Sequence, residues 1–459
     1  MINWLEEAKK RQEEMTQTLS SWLQNNSVYD PATIGEGAPF GKGVKEAFDF
    51  ILDLAKKDGF ETVNDDGYAC HIDYGTGDTV IGILGHVDVV PEGDGWTYPP
   101  FSGKIVDGHI HGRGSQDDKG PVLAAYFAMK ILKDLNLPVT KKIRMILGGN
   151  EERDWKCVEH YFKNFPRPDL GFTPDGDFPL VYAEKEIGMY EFSGVYHDDT
   201  VLSFHAGTAA NSVPDHAAAM LDIDMESIRI PFEHYLEKNH LTGSISKKDG
   251  HVYLEITGVS AHGSKPEDGV NAAAYLLTFL KQHTKNAMIA HFADAFADYH
   301  GKNLNIAFSD DQLGSLTMNL GVVSYENGAY KFVTDIRCPM GVDKEALEKS
   351  LKKAAVQVSW DDADIRRIGF KKGIYLDQES ELIRTLHKAY IDITGDTATK
   401  PRAIGGGTFA RATDNIVCFG MSFPSSEILY HQKDESVSIN EFVLATAIYA
   451  QALYTLSNV

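Results

Sequence analysis

Three short apolar runs between Tyr68 and Asp175 end in residues that can bind a metal, and a glycine-rich turn among them carries more. Val80-Ile81-Gly82-Ile83-Leu84-Gly85 reads as a buried strand that stops at His86-Val87-Asp88. Lys142 to Gly149 reads as a second strand, ending in Asn150-Glu151-Glu152, and Leu170 to Pro174 ends in Asp175. Between the first two lies the turn Gly112-Arg113-Gly114-Ser115-Gln116-Asp117-Asp118-Lys119-Gly120, which leads into an apolar helix from Pro121 to about Leu135. Alternating strands and helices imply a mainly parallel sheet with helices on its faces. Ligands bind such sheets at the carboxyl ends of the strands. Any one of these charges could be an ordinary solvated loop residue. Four in succession, about 25–35 residues apart as β-α units require, mark a site.

At 459 residues the chain exceeds the roughly 250–300 at which single cores stop growing, so more than one domain is expected. The first 60 or so residues carry helical periodicity, through Trp4, Leu5, Ala8, Met15, Leu19, Trp22 and Leu23 and then Val44 to Ala55. The character changes near Gly188. Alternating strands such as Val252–Ile256, helices at Asn271–Lys281 and Lys344–Val356, and many Gly and Asp turns follow. The α/β pattern returns with a helix at Glu379–Ile393, a loop at Gly405–Gly407, a strand at Ile416–Phe419 and a last helix from Asn440 to Leu456. The expected architecture is a discontinuous α/β domain, residues 1–187 and 381–459, with a mixed, mainly parallel sheet. An α+β domain, 188–380, is inserted in it and is long enough for two similar units side by side.

The net charge of −22 argues against a nucleic-acid partner, since phosphate backbones are gripped by clustered Lys and Arg. No apolar run approaches the roughly 18 residues of a membrane span, so no membrane partner is expected. The charged start, Met1 to Arg11, lacks the apolar core of a secretory signal. Cys70, Cys157, Cys338 and Cys418 are widely spaced and read as small buried hydrophobes in a reducing compartment. Cytoplasm is the natural expectation.

His431, in the loop Glu427 to Glu435 before the last helix, adds a second imidazole. Two histidines and several carboxylates without thiolate suit two metals, Zn²⁺ or its substitutes Co²⁺ and Mn²⁺. Two close metals need a bridging group. Asp117 suits that role because Gly112, Gly114 and Gly120 let its turn approach closely. Of Glu151 and Glu152, one can bind metal while the other acts as general base toward a water. His109 and His111, two apart on a strand, read as structural.

These motifs, taken in order, resemble those of the dinuclear zinc peptidases, the family of aminoacylase, carboxypeptidase G, succinyl-diaminopimelate desuccinylase and carnosinase. Gly95-Trp96 and Gly258-Val259-Ser260-Ala261-His262-Gly263-Ser264-Lys265-Pro266-Glu267 are similar to its PepV-like bacterial dipeptidases. The resemblance implies one zinc on His86, Asp117 and Asp175 and another on Asp117, Glu152 and His431. Asp88 would orient His86, and Glu151 would be the general base. It implies a cis peptide at Asp117-Asp118. In the inserted domain, a lid, His262 would stabilise the oxyanion, with Asn211 as a second polar group. Arg337 would clamp the substrate carboxylate, and Gly406 and Thr408 would hold the substrate's C-terminal end. A lid that doubles the family's smaller one implies a monomer. Asn150, Asp118 and Pro121 depart from the wider family's pattern without touching a proposed ligand.

The activity expected is therefore hydrolysis of short, unblocked peptides. A deacylase of N-acyl amino acids would need the same metals and base. A non-catalytic binding protein of this fold would have no reason to keep every ligand together with Glu151.

Overall fold

The computed structural model describes residues 2–355 and 364–459, which form two compact units. The first comprises residues 2–183, 374–402 and 407–459, and the second 184–355, 364–373 and 403–406.

The first unit is built on a mixed sheet. Its strands run in the order Glu61–Asp65, Ala69–Tyr74, Lys142–Gly148, Val80–His86, Leu170–Thr173, Ile416–Cys418, Val181–Glu184 and Ile374–Tyr375. The central four are mutually parallel, and antiparallel strands flank them. Successive residues of a strand face opposite sides of the sheet. A Cβ on Gly85 would meet Val122 of the helix Lys119–Asp134, whereas one on Gly148 would meet Cys157 of the helix Lys156–Asn164. Gly85 pairs with Leu147 and His86 with Gly148, so the two helices cover opposite faces. Burial on both sides explains why these strands are apolar throughout rather than alternating.

The Lys119–Asp134 helix is apolar almost all round because Ile439–Leu456 packs on it and the terminal helix Trp4–Lys9 packs on both. The helix expected at Glu379–Ile393 runs Glu381–Thr394. Ser380 caps its start through Ile383 N–H, and Gly395, at φ +73°, ends it.

The second unit is one antiparallel sheet in the order Thr242–Lys248, His251–Thr257, His216–Leu221, Val201–Ala206, Thr317–Glu326, Ala329–Cys338, Glu186–Val195 and Asp364–Lys371. Its halves meet at the pairing of Val201–Ala206 with Thr317–Glu326. In each half the next strand outward leads through a helix, Met225–Lys238 or Lys344–Ala355, to an edge strand. Val356, expected to close the latter helix, lies outside the described residues. The halves are thus two like units, but the second takes its inner strand, Glu186–Val195, from the start of the segment. That permuted order leaves no collinear sequence repeat. Phe192, Phe292 and Phe332 lie in the shared core, with Phe292 and Phe332 stacked at 4.1 Å. Among the described residues no helix is long and apolar enough to cross a membrane.

The strands that lead to His86 and Asp175 touch through a glycine pair. Gly82 and Gly171 are in register, and a Cβ on Gly171 would fall 1.9 Å from the Gly82 carbonyl oxygen. Gly171→Ala is expected to destabilise the protein by about 1–3 kcal/mol, read as a lower urea midpoint at unchanged slope. An unchanged midpoint would show that these strands have slack.

Candidate metal centre

The parallel strands deliver their polar ends to one place. His86 closes its strand fully buried, and Glu151 and Glu152 follow the neighbouring strand Lys142–Gly148. Asp175 follows Leu170–Thr173 on the other side, while Asp117 comes from the turn before the Lys119–Asp134 helix. His431 arrives on the C-terminal loop with φ +63°. Asp117 stands between the two imidazoles. Its Oδ1 is 3.0 Å from His86 Nε2, and its Oδ2 is 3.0 Å from His431 Nε2. His431 Nε2 also lies 3.1 Å from Glu152 Oε1.

Ligand atoms of His86, Asp117 and Asp175 all lie within 4.8 Å of one another, and so do those of Asp117, Glu152 and His431. A third such group is His86, Glu151 and Glu152. His109 and His111 belong to no such group among the described residues.

Asp88 does two jobs. Its backbone carbonyl is 2.9 Å from His86 Nδ1, and its carboxylate is 3.5 Å away. The same carboxylate accepts the N–H of Glu151 and of Glu152, at 3.1 Å each, so one residue sets both the imidazole and the paired glutamates. Such an outer partner leaves His86 Nε2 facing the cluster. The Asp117-Asp118 peptide is cis. Buried Asp118 accepts the His86 N–H at 3.1 Å, and the Phe409 ring stands edge-on to His86 at 6.1 Å.

So much anionic charge in a closed space distorts every titration. Burial, then the Asp117 charge, push Asp175 up to about 7. Burial raises Glu151 well above the usual carboxylate range, and the neighbouring carboxylates add to it. Glu152 rises for the same reasons. Asp117 goes the other way, because hydrogen bonds to His431 and His86 outweigh its burial. Hydrogen bonds to Asp117 and Glu152 raise His431 to about 11. Oxygen and imidazole donors this close, relieved only by taking up protons, fit a divalent cation.

The second unit gathers four of the residues expected from the sequence. Ser212 and His262 form a β-bridge, and Gly263 N–H donates to the Asn211 carbonyl at 2.7 Å. Buried Asn319 ties this loop through the carbonyls of Ala210 and Ser212. His262 Nδ1 accepts the Ser264 N–H at 3.1 Å and meets Ser264 Oγ at 2.7 Å, which puts the proton of the neutral ring on Nε2. Burial and nearby Arg337 lower its pKa and favour that neutral form. Arg337 is buried and gives its Nε and Nη2 to Asp335, at 2.8 and 2.6 Å, while Nη1 donates to the Gly405 carbonyl at 3.2 Å. Asp335 therefore occupies the Nε–Nη2 edge of the guanidinium, and the Nη1–Nη2 edge is the other side of the fork. A Cβ on Gly406 would come no closer than 3.7 Å to Ile404, so there is room at that point. In the first unit, Thr408 caps the short helix Phe409–Ala412 and lies beside Gly176, next to Asp175.

Sequence reasoning missed Glu435, Arg113 and Gln116. Glu435 is fully buried and its carboxylate accepts N–H groups of the Asp117 turn. Only the repeated acidic residues of the Glu427–Glu435 loop hinted at it. Since His431 holds a proton in the metal-free protein, a metal must displace that proton. Zinc affinity is therefore expected to rise about tenfold per pH unit for each proton released, and more steeply below about 7, where Asp175 must also ionise. Calorimetry across about pH 6 to 8 in buffers of different ionisation enthalpy measures this. A pH-independent affinity would contradict it.

The family model described as Peptidase family M20/M25/M40 matches residues 82–455. The chain is 38% identical over 469 residues to a Bacillus subtilis protein named "Putative dipeptidase YtjP", covering 99% of this chain and all of that one. A Staphylococcus aureus protein of like name is 37% identical over 470 residues, covering 99% of each. Human carnosine dipeptidase 1 shares the fold, with a TM-score of 0.60 at 15% identity over 99% of this chain and 98% of that one. The chain belongs to peptidase family M20/M25/M40.

Proposed function

We propose that this protein is a metal-dependent dipeptidase that hydrolyses short peptides with a free amino terminus and uses two zinc ions. One observation carries the reading: a single carboxylate, Asp117, offers one oxygen to each of two histidines within 3.0 Å, inside two ligand groups that share it. His86, Asp117 and Asp175 would hold one ion, and Asp117, Glu152 and His431 the other. Bound there, the ions would acidify a water and polarise the scissile carbonyl.

The other residues carry the remaining work. Glu151, with its raised pKa, takes the water's proton and returns it to the leaving amine. Asp88 keeps the His86 ring and the two glutamates in place. His262 has its proton on Nε2 and is suited to donate to the oxyanion, with Asn211 as a second polar group. Arg337, Gly406 and Thr408 are assigned to the substrate's carboxylate end. The domain division at 187/188 and 380/381, with the inserted part acting as a lid, belongs to the same proposal. Two like halves within one chain support a monomer, and four buried cysteines, none of them in a disulfide, suit the cytoplasm.

Zinc-loaded protein is expected to hydrolyse alanyl dipeptides faster than their N-acetylated forms, to lose activity to a chelator and to regain it with zinc. Faster turnover of the blocked compounds would make it a deacylase instead. Glu151→Gln should lower kcat by roughly 100- to 10,000-fold with zinc content unchanged. Wild-type kcat in that variant would remove Glu151 from the chemistry.

A further inference from the structure

The turn that carries Asp117 and the loop that carries His431 are joined by a set of contacts outside the ligands. Glu435 Oε1 accepts the N–H groups of Gly114, Gln116 and Asp117 at 3.1, 2.8 and 3.2 Å, and Oε2 takes Arg113 Nη1 at 2.6 Å. Arg113 is as buried as Glu435. It also donates to the carbonyl of Gln432 at 3.1 Å, and the Gly112 N–H donates to the Glu435 carbonyl at 2.9 Å. Gln116 stitches in the other direction. Its Oε1 accepts the Leu429 N–H, and its Nε2 donates to the carbonyls of Glu427 and Ser436, each at 2.9 Å.

The two ligand groups are therefore built differently. His86 ends a strand and Asp175 follows another, so the backbone ladder of the sheet fixes them. His431 sits on an irregular loop, and these three side chains tie that loop to the Asp117 turn.

We propose that Arg113, Gln116 and Glu435 are positioning residues that set the distance between Asp117 and His431. They thereby govern metal affinity chiefly at the Asp117–Glu152–His431 group, because the sheet fixes His86 and Asp175, which join Asp117 in the other group. The inference rests on the two-metal reading above. A carboxylate that collects three N–H groups and a guanidinium holds a fixed geometry, and the short charged bond to Arg113 is among the stronger kinds. Outer partners of metal ligands typically change affinity by roughly 10- to 100-fold when removed.

The test titrates metal-free protein with zinc against a chromophoric chelator. Wild type is expected to show two binding events. Gln116→Ala, which leaves the buried Arg113–Glu435 pair intact, should weaken one event by roughly 10- to 100-fold and leave the other unchanged. Excess zinc should then restore kcat. In a His431→Ala background the same substitution should not alter binding of the remaining ion. Glu435→Gln should weaken the same event further. If that variant fails to fold because a buried guanidinium is left unpaired, Gln116→Ala alone decides. Equal weakening of both events, or no weakening of either, would overturn the proposal. Wild type that binds no zinc would overturn the two-metal reading along with it.

Discussion

Asp117 has one carboxylate oxygen on each of two imidazoles, and the rest of the site is arranged around that shared group. Four carboxylates and two histidines packed this closely cannot all carry their usual charge without a counter-ion. Burial penalises the ions, and the carboxylates repel one another. The distorted titrations of Asp175, Glu151 and Glu152 are the cost of assembling a cation site in advance. The same burial lifts the Glu151 carboxyl well above the usual carboxylate range.

The sheet makes such an assembly possible. Three neighbouring parallel strands bring ligand residues to one edge, and the helices that cover both faces keep bulk water from the sides. Close approach relies on small residues, between strands at Gly82 against Gly171 and between strand and helix at Gly85 beneath Val122 and Asp118. Asp118 gives the clearest case of one group serving two levels of structure. It sits in the ligand turn and also accepts the N–H of His86, the last residue of the strand ladder.

The second unit shows a related economy of polar groups. Asn319 holds the Asn211 loop, and Asn271 both caps the helix Ala272–His283 and donates to the Leu320 carbonyl. Asp335 immobilises Arg337 on one edge. The Asn211 loop and Arg337 are thus each backed by a buried neighbour that the sequence reading did not single out.

Strand ends, helix positions and the residue types of the candidate ligand set were legible in the chain because they are local: an apolar run and the residue that stops it lie within a few positions. The motif order carried the family for the same reason. What the sequence could not show was which distant polar groups would meet. Arg113 and Glu435 are 322 positions apart, and neither sits in a pattern that announces a partner. Asp88 was expected to orient His86. In the fold its carbonyl is nearer the ring, and the carboxylate is taken by the Glu151 and Glu152 N–H groups. The doubling of the second unit was expected from its length, but it left no sequence repeat because its second half is assembled in permuted chain order. Local periodicity is written along the chain, whereas the pairing of buried charges depends on which loops the sheet brings side by side, and only the tertiary structure decides that.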